Sequence, residues 1–203
     1  MNTLIDGGLP YDIDGVPISP DFRNMLRMEA ISDDPNLQDA QKLALMLDQL
    51  YPEPPTDYGR AFEGLVWFIH RGDVPRDDQP RGKKQRKGYD FTQDASLIFS
   101  AFFAAYGINL ASVEFLHWWE FLALFEGLPE EALIKKVMYW RTCDVSKVSK
   151  EEKKHVLEMR KHFAIKRVEA EAKTIEEINQ GTHDYYDRRI ARAREKQQKG
   201  ETT

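Results

Sequence analysis

Eleven aromatic side chains, Phe99, Phe102, Phe103, Tyr106, Phe115, Trp118, Trp119, Phe121, Phe125, Tyr139 and Trp140, fall within 42 residues of a 203-residue chain. That density constrains the fold more than any other feature. Aromatic residues bury large areas and dominate core and interface energetics, and this number exceeds what a three-helix layer hides with ease. Most of the block must form a core with further helices packed over it. The remainder suits an exposed groove or a subunit interface, where Trp, Tyr and Phe are enriched.

The block falls on helical spacing. Asp90 or Thr92 opens a helix carrying Leu97, Ile98, Phe99, Phe102, Phe103 and Tyr106, and Gly107 offers a left-handed stop. Ser112 with Glu114 opens a second, expected over Val113 to Glu126, and Pro129, Glu130 and Glu131 launch a third, reaching about Thr142. These helices are apolar on nearly all sides, which predicts burial on more than one face.

The N-terminal third supplies the covering layer. Tyr11, Ile13, Val16 and Ile18 flank Asp14-Gly15, a dipeptide that tolerates positive φ at both turn positions and predicts a type I′ hairpin. Pro17 removes a ladder donor and places its strand at an edge. Ser19-Pro20-Asp21 then caps a helix bearing Phe22, Met25 and Leu26. Ser32-Asp33-Asp34-Pro35 reads as the start of the next, striped by Leu37, Ala40, Leu43, Ala44, Leu47 and Leu50, and Thr56 or Asp57 caps a third through Phe62, Leu65, Val66 and Ile69.

The net charge of -5 is a cancellation between regions. Residues 1–60 hold 4 Lys/Arg against 11 Asp/Glu, whereas 71–88 hold 7 against 3 and 150–203 hold 14 against 11. Residues 71–88 have Val74 as their one large apolar side chain, with two prolines and three glycines; too little surface can be buried to offset ordering entropy, so a mobile linker is expected. Ser149-x-x-Glu152 is a capping box, opening a helix with a thin stripe of Val156, Met159 and Phe163 before the chain becomes almost wholly polar. The expected architecture is mainly α. An N-terminal hairpin and helices (1–70), a basic linker (71–88) and an aromatic-rich helical unit (89–165) make a bundle-like body, followed by a charged, partly helical tail (166–203).

Several function classes drop out. A single cysteine leaves no disulfide framework and no cysteine-based zinc or iron–sulfur site, and it fits a reducing compartment. The opening residues are acidic and broken by Gly and Pro, unlike a secretory signal. The longest apolar stretch, Ala95 to Tyr106, falls short of the ~20 residues that cross a bilayer. A soluble cytoplasmic protein without membrane partners is expected. Phosphate-loop, dinucleotide, nucleophile-elbow and zinc-protease motifs are missing, and Cys143 reads as a structural thiol.

Two Glu-x-x-His pairs, Glu114/His117 and Glu152/His155, have the spacing of a helical di-metal site, with Glu63 and Glu120 as the further carboxylates. Against this, 31% of residues are charged, so the spacing arises readily by chance. Glu114 suits a first helical turn, His155 lies in a solvated run, and His117 reads as a packed histidine. The basic cluster Arg81, Lys83, Lys84, Arg86 and Lys87 suggests an alternative, a nucleic-acid-binding module. It lacks the interleaved aromatic platform that single-strand binders use. No enzyme activity, metal or cofactor is expected.

In order, these residues resemble a known family. Gly15-Val16-Pro17-Ile18-Ser19-Pro20-Asp21-Phe22-Arg23 resembles the N-terminus of small tail proteins of long-tailed phages. The run Tyr89 to Ala95, Phe102-x-x-Ala105-Tyr106-Gly107-Ile108-Asn109-Leu110, Leu116 to Phe125, and Arg141-Thr142-Cys143-Asp144 with Ser146-Lys147 is similar to the bacteriophage gene-product-fifteen family of Gram-positive phages and prophages. The likeness spans roughly residues 8–165. It implies a non-enzymatic role in tail morphogenesis: a chaperone-like factor that binds the tape measure protein or another tail component in the host cytoplasm. The acidic N-terminal region and the basic connector or tail suit pairing between copies, so self-association is expected. The expected partner-binding residues are Phe99, Phe102, Phe103, Tyr106, Phe115, Trp118, Trp119, Phe121 and Phe125, on a face formed by the helices around 95–106 and 113–126.

Overall fold

The computed structural model describes residues 8–73 and 86–166. The central part of the expected linker and the tail after Lys166 lie outside the described residues. Those described form one two-stranded hairpin and seven helices, a mainly α architecture.

The hairpin is β1 (Asp12–Ile13) and β2 (Val16–Pro17), paired antiparallel with Asp12 opposite Pro17 and Ile13 opposite Val16. Asp14 and Gly15 both take positive φ, 52° and 77°, as a type I′ turn requires. Helix α1 (Phe22–Asp33) is capped by Asp21, whose carboxylate accepts from the Arg23 N–H, and buries Phe22, Met25 and Met28.

The expected start of the next helix at Ser32–Pro35 is not used. Helix α1 runs through to Asp33, the Asp34 carboxylate turns inward to accept from the Asn36 N–H, and α2 (Asp39–Leu50) begins after Gln38, whose N–H donates to the Gln41 side chain. The Asp34 carboxylate closes a turn instead of capping a helix, and the reciprocal Gln38/Gln41 capping box sets the start of α2. Helix α3 (Tyr58–Ile69) begins as expected, with the Asp57 carboxylate accepting from the N–H groups of Gly59 and Arg60. It packs closely on the end of α2: a Cβ at Gly64 would meet the Tyr51 hydroxyl at 2.5 Å.

Helix α4 (Ala95–Tyr106) ends at Gly107, whose φ of 68° is the left-handed stop read from the sequence. Helix α5 (Trp118–Glu126) starts five residues later than the expected Val113. The Ser112/Glu114 start signal loses to tertiary bonds: the Phe22 N–H donates to the Leu116 carbonyl at 2.9 Å and the Trp118 N–H to the Pro20 carbonyl at 2.8 Å, holding 116–118 extended beside residues 20–22. Helix α6 (Leu133–Thr142) follows a turn closed by the Ala132 N–H on the Pro129 carbonyl, and α7 (Lys150–His162) is capped by Ser149. Only half of the expected capping box forms, since the Glu152 carboxylate accepts instead from the Tyr139 hydroxyl at 2.9 Å.

One hydrophobic core draws on the sequence on both sides of residues 74–85. Phe121 sits at its centre, stacked at 5.0 Å on both Phe22 of α1 and Phe102 of α4, at 5.6 Å on Trp118, and meeting Phe91 edge to face. Leu47, Leu50, Leu65 and Phe68 from α2 and α3 join the same cluster. The Trp119 indole N–H donates to the Phe68 carbonyl at 2.9 Å. No helix among the described residues is long and apolar enough to cross a membrane.

Candidate functional site

Helix α4, ASLIFSAFFAAY, contains no charged residue. Ile98, Ala101 and Phe102 point into the core, while Ala95, Ser96, Phe99, Ser100, Phe103 and Ala104 recur at the three- and four-residue steps of an outward face and are exposed. Phe99 and Phe103, one turn apart, stack in parallel with ring centres 6.4 Å apart. Phe103 is 56% exposed on this uncharged face.

Beside this ridge runs an apolar hollow of about 310 Å³, floored by Phe22, Ile98 and Phe121 and walled by Leu26, Ala95, Phe99, Leu110 and Ala111. The 110–113 turn that forms one wall is fixed by Arg23, whose guanidinium pairs with Asp21 and donates to the backbone carbonyls of Leu110 and Val113. The Asp-Phe-Arg segment therefore supplies a cap, a floor residue and a loop clamp in three consecutive positions.

The expected site residues divide. Phe102, Trp118, Trp119, Phe121 and Phe125 are buried, so the face once read across both aromatic helices is corrected: α5 turns its rings inward because the chain from 116 to 118 is tied to residues 20–22. Tyr106 is half-buried, its hydroxyl donating to the Leu124 carbonyl at 2.9 Å. Phe99 and Phe103 share the α4 ridge. Phe115 is exposed elsewhere, stacked at 6.2 Å on Tyr11 beside the hairpin. Sequence reasoning missed Leu26, Ala95, Leu110 and Ala111, although a twelve-residue helix without one charge was itself the signal that its outer face is apolar.

A second hollow, about 320 Å³, lies farther along α1 and is lined by Glu29, Ala30, Asp33, Asp34, Asp90, Thr92 and Gln93. The Lys87 ammonium reaches into its acidic wall, 2.7 Å from Asp33, 3.0 Å from Glu29 and 3.4 Å from Asp90. Burial works against the Lys87 charge, but the hydrogen bonds it donates to Asp33 and Glu29, with their negative charges, outweigh it and hold its pKa above the usual lysine range. Burial raises the Glu29 carboxyl, with Lys87 only partly compensating. Asp90 is held below its ordinary value: burial opposes this, but the Gln93 N–H and Lys87 together prevail. Thus Lys87, one member of the basic cluster, is already committed to three carboxylates. Arg81, Lys83 and Lys84 lie outside the described residues.

The segments that carry the family likeness meet in pairs. Residues 20–22 bond to 116–118, and His117 is fully buried between them; its Nδ1 accepts from the Trp119 N–H at 3.0 Å, which leaves Nε2–H to donate to the Pro10 carbonyl at 3.0 Å. Burial lowers its pKa. Likewise Asp94, at the start of α4, forms a bidentate buried pair with Arg141 of α6 at 2.5 and 2.9 Å, and Arg141 also donates to the carbonyls of Gly88 and Phe163. These markers are structural.

The four residues of the metal reading do not assemble. Glu114 precedes α5 and so is not on a helical face with His117, both nitrogens of which are engaged. Glu152 and His155 are exposed on α7, and Glu63 and Glu120 also face outward. Among the described residues no group of three or more His, Cys, Asp or Glu is placed to hold a metal ion.

No curated protein and no solved structure matches the chain. Residues 5–165 match the family described as bacteriophage Gp15 protein, which covers every element of the fold and both pairs of meeting segments. The chain belongs to the bacteriophage Gp15 protein family.

Proposed function

We propose that the protein is a non-enzymatic, chaperone-like factor of phage tail assembly that binds the tape measure protein in the host cytoplasm. The observation that carries the reading is the α4 ridge, a charge-free helix face with Phe99 and Phe103 stacked in solvent above an apolar hollow. Such a surface is suited to an amphipathic helix laid in a groove, and a tape measure protein is a long helical client whose apolar stripes need cover before a tube encloses it. No residue is assigned a catalytic role. Self-association of copies along the client is part of the proposal.

Co-expression with the tape measure protein of the same phage tests it. Soluble, co-purifying tape measure protein is expected with the native chain, falling severalfold with the double variant Phe99→Asp, Phe103→Asp, while the variant's own thermal unfolding stays close to native. Equal recovery with and without the chain overturns the proposal.

A further inference from the structure

The apolar and acidic hollows are successive parts of one groove. On one side both are bordered by α1, whose Phe22, Leu26, Glu29 or Ala30, and Asp33 follow at steps of three and four residues. On the other side both are bordered by the segment from Asp90 to Phe99. Apart from Arg23, whose guanidinium is engaged by Asp21 and two backbone carbonyls, the groove is apolar from Phe22 to Leu26 and acidic from Glu29 to Asp34; seven residues of helix separate Leu26 from Asp33, a rise of about 10 Å, or two helical turns. Among the described residues, the acidic part sets four carboxylates, Glu29, Asp33, Asp34 and Asp90, against the ammonium of Lys87.

We infer that the occupant of this groove is a helix whose apolar ridge is followed, at one end, by a turn of lysine or arginine side chains. The inference rests on the docking role given above to α4 and adds the chemistry of the partner. Leucine- or alanine-sized side chains fill the hollow beside Phe99, and the basic turn, about two turns farther along, meets carboxylates whose charge Lys87 balances only in part. An acidic turn there brings like charges together, which penalises the wrong partner more than it costs the right one. A second copy presenting the same α4 face brings an uncharged helix and leaves the acidic hollow without counter-charge. The partner is therefore a different segment.

Three twenty-residue helical peptides with one shared leucine and alanine ridge test this on the full chain, their terminal turn being lysine, glutamine or glutamate. At low salt the lysine peptide is expected to bind about tenfold more tightly than the glutamine peptide, the sum of a few surface pairs, and the glutamate peptide more weakly still. The ranking should collapse near 0.5 M salt, where exposed charges are screened. Ala30→Lys, an exposed α1 position in the acidic hollow, should abolish the preference for the lysine peptide over the glutamate peptide, and Phe99→Asp should weaken all three. Equal binding of lysine and glutamate peptides, or no binding by any, overturns the inference and leaves the docking reading to stand or fall on tape measure recovery. If a peptide of residues 167–203 displaces the lysine peptide with tighter binding and the same sensitivity to Phe99→Asp, the chain's own C-terminal segment is the occupant and the inference is overturned.

Discussion

His117 shows how one side chain closes a junction. Both ring nitrogens are committed in the neutral form, one as acceptor for the first turn of α5 and the other as donor to the Pro10 carbonyl. Its pKa is lowered from 6.5, chiefly by burial, with the Pro10 bond and Glu120 opposing. The unfolded chain therefore binds a proton here at a higher pH than the folded one does. The His117 contribution to stability is flat above about pH 6.5 and is lost as pH falls from there toward the depressed folded value. In His117→Asn, which retains a cap acceptor, that acid-side slope in the urea midpoint between pH 7.5 and 5 should shrink. Asp94 behaves differently. Its side chain and that of Arg141 are 5% and 7% exposed, so Asp94→Ala strands a buried guanidinium, and denaturant unfolding should show a loss of about 3–5 kcal/mol. The packed state of His117 was legible in the sequence, but the Asp94 pairing was not: Asp94 and Arg141 are 47 positions apart, and only folding brings them within hydrogen-bond reach.

At the scale of elements, α4 serves two surfaces with adjacent residues. Phe102 is completely buried between Phe121 and Tyr106, whereas Phe103 is 56% exposed. Urea unfolding should separate them: Phe102→Ala costs about 3–5 kcal/mol, and Phe103→Ser changes stability by less than about 1 kcal/mol, even though it removes half of the exposed stacked pair. Helix α3 offers a converse case. Gly64→Ala adds one carbon where the Tyr51 hydroxyl and Ile13 already crowd the backbone, so a loss of about 1–3 kcal/mol from overpacking is expected in the same assay. The hairpin turn, the Asp57 and Ser149 caps and the Gly107 stop were all legible, because each depends on residues within four positions of one another. The starts of α2 and α5 were not. At α5 a good local signal competes with long-range bonds to residues 20–22 that propensity does not include, and at α2 the Gln38/Gln41 box takes the start from Ser32–Pro35.

For the whole molecule, the question is what joins residues 8–73 to residues 86–166. Arg71 pairs with Glu126, but both are substantially exposed, so Arg71→Ala should alter stability by less than about 1 kcal/mol. The junction is the shared core: Phe22 on Phe121, residues 20–22 bonded to 116–118, and Arg23 clamping the turn at 110–113. Polypeptides 1–73 and 86–203, expressed together, should therefore co-purify as one complex. If either piece is recovered folded and alone, the shared core is not what holds them.

The helical class, the hairpin, the caps at Asp21, Asp57 and Ser149 and the presence of more aromatic surface than a small core needs are all legible in the order of residues. These follow from periodicity and turn chemistry, which act over a few residues. Tertiary structure alone decided which aromatic rings face outward. Burial is a property of what packs opposite: the 20–22 to 116–118 pairing turns α5 inward, while α4, lacking any partner for its outer face among the described residues, leaves Phe99 and Phe103 in solvent.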